Sequence, residues 1–302
     1  MKAKYDVLVV GDYSIDLIFA GLPGLPELGK EVIGSGFAML PGESYNSAIA
    51  MHRLGIKVGW AADFGNDELS IAALKQVRAE GLDDKLIVRH KRSYRRITVA
   101  ASFPEDRAFI TYYDPEPKIP AGLKALFCVS ARFLFIPGFY SGPLMAIGSL
   151  LVKARRIGLI MDGNSHDELT LDAPAVRNAL KRVDIFLPNA LEARRLTGAH
   201  DLEKAARILA GYCPLIVVKD GSNGAYACSE GNVLYAPALP VTPVDTTGAG
   251  DCFNAGFIKA YLDRKPLEQC LRWGNVVGGL STLELGGTGR CTTPKDVEAW
   301  LA

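Results

Sequence analysis

Between Val244 and Gly256 the chain reads VDTTGAGDCFNAG, a polar, glycine-rich turn opening onto a helical pattern. Gly248 and Gly250 let the backbone fold tightly, so that successive N–H groups can aim at one point. The amino terminus of the following helix adds partial positive charge there. Such a hole suits a phosphate. Asp251 stands in the first turn beside it. A carboxylate next to an anion hole is unfavourable unless it has chemistry to perform. The chemistry at hand is removing the proton of a hydroxyl that attacks the phosphorus. An acidic first-turn residue can also simply complement the helix dipole; the whole T-G-A-G-D string is what points to a base. A Walker loop, G-x-x-x-x-G-K-S/T, is absent, and so is G-x-G-x-x-G, because position 253 is Phe.

These residues need a scaffold to hold them. Compact apolar runs at Asp6–Val10, Phe133–Ile136, Gly158–Met161, Asp184–Leu187 and Leu215–Val218 read as buried strands of a largely parallel sheet. Helical patterns fall near 46–54, 67–80, 144–156, 190–197, 202–210, 249–262, 266–284 and 294–301. This alternation predicts a layered α/β domain with its ligands at the carboxyl ends of the strands. Residues 12–40 and 86–115 differ. They hold short, alternating, strand-like pieces, with a turn expected at Pro104-Glu105-Asp106, and predict a small antiparallel sheet apart from the core. The basic run Arg89–Arg96 reads either as a solvated strand face or as a cationic rim over an anionic ligand.

Composition narrows the partners. The chain has 302 residues, and 34 Lys plus Arg balance 33 Asp plus Glu, which argues against a nucleic-acid grip. The longest apolar run, Leu144 to Val152, is too short to span a membrane, and the amino terminus does not read as a secretory signal. Six cysteines without a C-x-x-C pair read as reduced thiols of a cytoplasmic protein, and the four histidines lack zinc-site spacing.

VDTTGAGDCFNAG resembles the carboxyl-terminal signature of the ribokinase-like (PfkB) carbohydrate kinase family, and the likeness runs over nearly the full chain. Gly11-Asp12 with Asp16 resembles the family's substrate-facing start. Pro41-Gly42-Glu43-Ser44-Tyr45-Asn46-Ser47-Ala48 resembles its G-G-x-x-x-N-x-A signature, Gly65-Asn66-Asp67 its G-x-D turn, and Asn189-Ala190-Leu191-Glu192 its N-x-x-E motif. Lys219 to Gly224 resembles its K-x-G-x-x-G turn.

The resemblance implies a three-layer ribokinase-like fold in one domain spanning 1–302. Its central, mostly parallel sheet is flanked by helices, and a small β-lid is built from segments near 12–20, 31–41 and 86–115. It implies ATP-dependent phosphorylation of a hydroxyl on a sugar or nucleoside, with Mg2+. By position, Asp251 becomes the base, and the amides of Gly248, Ala249 and Gly250 the oxyanion donors. Asp12, Asp16, Gly42 and Asn46 hold substrate. Asn189, Lys219, Gly221, Gly224 and Asn275 face the nucleotide; the small residues of Gly278–Gly279 and Gly286–Gly289 read either as surfaces for adenine or as close helix–sheet packing. Glu192 organises Mg2+ through water, together with Asn189. Asp245 and Thr247 could offer oxygens to a monovalent cation such as K+.

Pro41 replaces a glycine and removes one backbone donor. Ser70 replaces another glycine, read as a packing change, and Gly163 replaces a proline, read as loosening a strand end. Tyr13 and Tyr45 flank the expected pocket, either stacking on a sugar or base or packing in the core. Three functions follow in order: a sugar kinase, a nucleoside kinase on the same fold, and a catalytically silent sensor. Exposed lid strands make a homodimer the expected assembly.

Overall fold

The computed structural model describes residues 3–103, 107–165 and 169–302. The expected turn at Pro104-Glu105-Asp106 and His166 lie outside the described residues. The chain begins with β1 (Tyr5–Val10), β2 (Tyr13–Ala20), β3 (Gly36–Glu43), α1 (Ser44–Arg53), β4 (Val58–Ala61), β5 (Asp63–Phe64) and α2 (Glu68–Ala79). It continues through β6 (Val88–Arg89), β7 (Arg96–Ser102), β8 (Arg107–Tyr113), α3 (Ala121–Cys128), β9 (Ala131–Ile136), α4 (Pro143–Ala154) and β10 (Gly158–Asp162). Then follow α5 (Pro174–Leu180), β11 (Ile185–Leu187), α6 (Ala190–Thr197), α7 (Leu202–Ala210) and β12 (Leu215–Lys219). The chain ends with β13 (Ala225–Ser229), β14 (Asn232–Ala236), α8 (Ala249–Leu262), α9 (Leu267–Ser281) and α10 (Pro294–Leu301).

The central sheet has eight strands in the order β14-β13-β12-β11-β10-β9-β1-β4. All pairs from β4 to β12 are parallel; only β12–β13 and β13–β14 are antiparallel. Its strands are covered on both faces, which is why they read as unbroken apolar runs. One face packs Val7, Val9, Ile160 and Val217 against α1, α8 and α9. The other packs Leu8, Leu134, Met161 and Ile216 against α3 to α7. Helix ends follow their residues: Asn189 and Glu192 form a capping box on α6, and Gly198, at φ 70°, closes it.

The parallel strands end along one edge of the sheet, and the polar residues of the sequence analysis stand there. Asp12 follows β1, Asp162 ends β10, Asn189 follows β11 and Lys219 ends β12. Over this edge lies a second, four-stranded sheet in the order β3-β2-β7-β8. It uses narrower segments than expected, and β2–β7 is parallel. Residues 86–95 do not join it; β6 pairs instead with β5, beside the core.

Two expectations need correction. Ser70 is more than a packing change. Its hydroxyl accepts from the Gly65 amide at 2.9 Å, reaches Asp67 at 2.9 Å and meets the Tyr13 hydroxyl at 2.5 Å. Gly163 does not loosen β10. A side chain there would collide with the Glu192 carboxylate and lie 2.8 Å from Pro188 Cα, so glycine permits a close approach.

Candidate active site

The turn Asp245–Gly250 delivers α8 to the sheet edge. Gly248 takes φ 67° at the helix start, where no side chain caps the first amides. The amides therefore face outward, except that of Ala249, which reaches Thr246 O at 3.3 Å. A Cβ at Gly248 would lie 2.5 Å from Gly287 Cα. The Gly286–Gly289 loop thus packs against the turn and Asn46, not along the nucleotide cleft where the small-residue surface was expected.

Asp251 accepts a hydrogen bond from Ser47 on α1. Burial pushes its carboxyl up to about 7, with the negative charges of Asp162 and Asp16 adding to the rise and Ser47 and Lys219 opposing it. The Lys219 ammonium lies 2.6 Å from Asp162 and 3.3 Å from Asn254 Oδ1. Asn254, one helical turn beyond Asp251, also donates to Asp162. Ser47, Asp162 and Asn254 escaped assignment from sequence. Ser47 and Asn254 lie inside quoted motifs, but only the packing of α1 on α8 and of α8 on β10 shows what they touch.

Asp16 accepts from Ser14 Oγ at 2.5 Å, and its carboxylate lies against Gly42 so closely that any side chain at 42 would collide with it. Burial and the neighbouring Glu43 charge raise its carboxyl to about 6. Asp12 accepts from the Asp63 amide at 3.0 Å and from the Tyr94 hydroxyl. Burial raises its pKa as well. Asn46 is 4% exposed, and its Oδ1 has no partner. The structure thus brings Asp16 and Gly42 together, with Asn46 on α1 and Asp251 on α8 nearby.

Tyr13 and Tyr45 do not flank a pocket. Both are fully buried, Tyr13 stacked on Phe64 at 4.2 Å and Tyr45 packed near Trp60. Their stacking role is withdrawn, and with it the feature that would have favoured a nucleoside.

On the other side of Gly250 opens a cleft of about 750 Å³. Lys219, Gly221, Gly224, Asn275, Gly278 and Gly279 line it. Asn275 spends its amide nitrogen on Ala236 O and Pro237 O, at 3.0 and 2.9 Å, and so holds the cleft wall. Asn189 and Glu192 bond one another, with 2.7 Å between Glu192 Oε2 and the Asn189 amide. Burial raises the Glu192 carboxyl, and the Asp162 charge adds to the rise. Lys219 offsets only part of the charge that Glu192 and Asp162 bring together, and their carboxylate oxygens are donors of the kind Mg2+ takes.

Asp245 and Thr247 do not fit a monovalent cation. Asp245 Oδ1 accepts from the Thr247 amide and hydroxyl at 2.9 and 2.7 Å, and Oδ2 from the Gly286 amide at 2.8 Å. Arg107 of β8 brings its guanidinium within 3.5 Å of Asp245 and bonds Thr247. The charge a cation would supply is already present.

Comparison with solved structures gives the class first. A ribokinase from Arabidopsis thaliana, complexed with ribose and ATP, superposes with a TM-score of 0.81 at 22% identity over 98% of both chains. The fold is therefore ribokinase-like. Residues 5–295 match the profile described as "pfkB family carbohydrate kinase". The chain belongs to that family, and it is a kinase with a hydroxyl acceptor. Among curated relatives, the ribokinase of Bacillus subtilis is 27% identical over 98% of this chain and 99% of its own. A cytidine kinase of Thermococcus kodakarensis is 37% identical over 41% of this chain and 45% of its own.

Proposed function

We propose that this enzyme transfers the γ-phosphoryl of ATP to a hydroxyl of a small sugar, with Asp251 as general base. The observation that carries the reading is the position of Asp251. Its half-buried carboxylate lies at the uncapped start of α8, with Ser47 and the charge of Asp16 on one side and, on the other, Gly250 of the Lys219-lined cleft. Asp12, Asp16 and Asn46 bond the acceptor hydroxyls, and Gly42 leaves room for Asp16 to do so. Asp251 accepts the proton of the attacking hydroxyl, while Ser47 holds the carboxylate in orientation. The amides of Gly248 and Gly250 carry charge developing on the transferring phosphoryl, while that of Ala249, expected to join them, is turned to Thr246 O. Lys219, Gly221 and Gly224 hold the nucleotide; Asn275 and Asn189 shape its cleft. Glu192 and Asp162 would hold Mg2+ through water, and the ion would supply charge neutralisation between the phosphates. The four-stranded sheet over the edge acts as a lid that excludes water. Among the described residues no helix is long and apolar enough to cross a membrane, and all six cysteines are free; we place the enzyme in the cytoplasm.

ADP release measured over pentoses, hexoses, sugar acids and nucleosides tests the reading. Acceptor-dependent ADP formation with a sugar is expected. Thermal stabilisation by a sugar with no ADP from any acceptor would mark the protein as a sensor instead. The pH profile gives a second check. A base that titrates near 7 must lose its proton before it can work, so kcat should rise through about pH 7. Below about pH 6, protonation of Asp16 should steepen the fall in kcat/KM. A flat profile from pH 5.5 to 8.5 removes Asp251 as the base.

The lid also supports a homodimer. Its register places Leu17, Phe19, Phe37, Met39, Val99 and Ile110 on one face, opposite the face of Asp16 and Thr98. Phe37 is 61% and Ile110 73% exposed. An apolar outer sheet face of this kind is suited to a second copy of itself. Light scattering should give twice the 32.5 kDa chain mass, and Phe37→Glu should give a monomer. A wild-type monomer at micromolar concentration refutes the assembly.

A further inference from the structure

Most side chains of the run Arg89–Arg96 with a described partner are held away from the acceptor residues. His90 pairs with Asp63 at 2.6 Å. Arg92 donates to Pro115 O at 2.6 Å. Arg95 meets Asp114 at 3.0 Å. Arg96 alone turns inward. It is 7% exposed, lies over the Tyr113 ring at 3.9 Å, and sits between Asp12 at 3.7 Å and Glu43 at 3.6 Å. Its Nε and Nη1 have no hydrogen-bond partner. Burial works against its charge, and the two carboxylates outweigh that effect.

Glu43 is held there at a conformational cost. It is a non-glycine residue at φ 52°, wedged between Gly42 and the first turn of α1. Such backbone strain persists where surrounding structure over-determines it, often at functional sites. Its carboxylate accepts the Tyr113 hydroxyl and adds to the negative field on Asp16. Glu116 stands with Asp12 in the wall of a neighbouring cavity. Asp12 and Glu43 therefore flank one guanidinium, and Asp16 lies beside Glu43, so three carboxylates stand in this region against one buried arginine. Its unbonded N–H groups can still donate to a hydroxyl oxygen.

We propose that Glu43 and Arg96 make the pocket selective for uncharged polyol acceptors, with Glu43 reading a hydroxyl and acceptors bearing a carboxylate or phosphate turned away. This rests on the kinase reading above and names its substrate class. A neutral polyol can donate to each carboxylate and accept from Arg96. An anionic acceptor meets a surplus of negative charge in a poorly solvated pocket, where like charges repel far more than in water.

The test uses matched acceptors: ribose against ribose 5-phosphate and ribonate, and glucose against gluconate. ADP release should favour the neutral member by at least about 100-fold in kcat/KM. Glu43→Gln should shrink that ratio about tenfold, with its folding checked by thermal denaturation. A wild-type enzyme that uses an anionic acceptor as well as its neutral partner overturns the proposal. So does a Glu43→Gln enzyme with an unchanged ratio. Calorimetric binding of the same pairs to the Asp251→Asn protein separates this claim from the one beneath it. Preference for the neutral ligand there upholds the selectivity even if no acceptor yields ADP, an outcome that would sink only the kinase reading.

Discussion

Asp251→Asn is expected to leave the fold and nucleotide binding intact while lowering kcat by about 10³-fold, within the range for loss of a general base. The amide has nearly the same shape, and Ser47 can still donate to its oxygen. It cannot accept the hydroxyl proton at any accessible pH. The same change should stabilise the protein. The carboxyl sits at about 7 in the folded state against an ordinary 3.8. Between these values the native state binds more protons than the unfolded chain, so stability falls as pH rises through this window. At pH 8 the full cost of an ionised, half-buried Asp251 is present. Removing the charge should return on the order of 2 kcal/mol, several degrees in Tm for a chain of this size. An inactive variant that melts higher than wild type at pH 8, but not at pH 4, is the expected signature. Near-normal turnover would reject Asp251 as the base.

The second large effect is expected at Gly248. Alanine there must adopt φ 67°, which costs about 1–2 kcal/mol. Its Cβ would also lie 2.5 Å from the backbone of Gly287, which cannot swing away as a side-chain end could. The turn must shift, and the amides that start α8 shift with it. Together these should cost about 2–4 kcal/mol of stability and about 10²-fold in kcat. Gly231→Ala is the control. It has φ 79° with no atom within 4 Å of a built Cβ. It should show the conformational cost alone, with kcat unchanged. Denaturant unfolding and ADP release on both variants settle the matter; equal losses would mean that close approach to Gly287 has no part.

The parallel strands were legible because burial on both faces turns them into plain apolar runs, as in DVLVV and LIVV. The start of α8 was legible because only glycine can make its turn and only an acidic residue follows. Short elements were lost. Helices α3 and α5 start without a side-chain cap, whereas α6 and α10, equally short, are marked by capping boxes. Strand β4, VGWA, is broken by a glycine that lies against the Tyr5 ring. The site was legible as motifs and illegible as geometry. Tyr13 and Tyr45 sit beside motif residues yet face the core, because the strand and helix carrying them present that side to Phe64 and Trp60. Arg96 reads as one more base in a run, and only the pairing of β7 with β2 and β8 carries it between Asp12 and Glu43. Asn275 reads as a ligand contact, while its amide is spent on a loop nearly forty positions away.

Arg107 joins the two bodies that a lid of the kind proposed above would have to part to admit the acceptor. It belongs to β8 in the roof, and its guanidinium grips Asp245 and Thr247 at the root of the catalytic turn. Lifting the roof therefore strips the turn of a brace at the same moment. Amide hydrogen exchange at 245–250 should accordingly speed up in step with that of β8; on the phosphoryl-transfer role proposed for this turn, opening of the roof would then loosen the hold on the spent nucleotide as well.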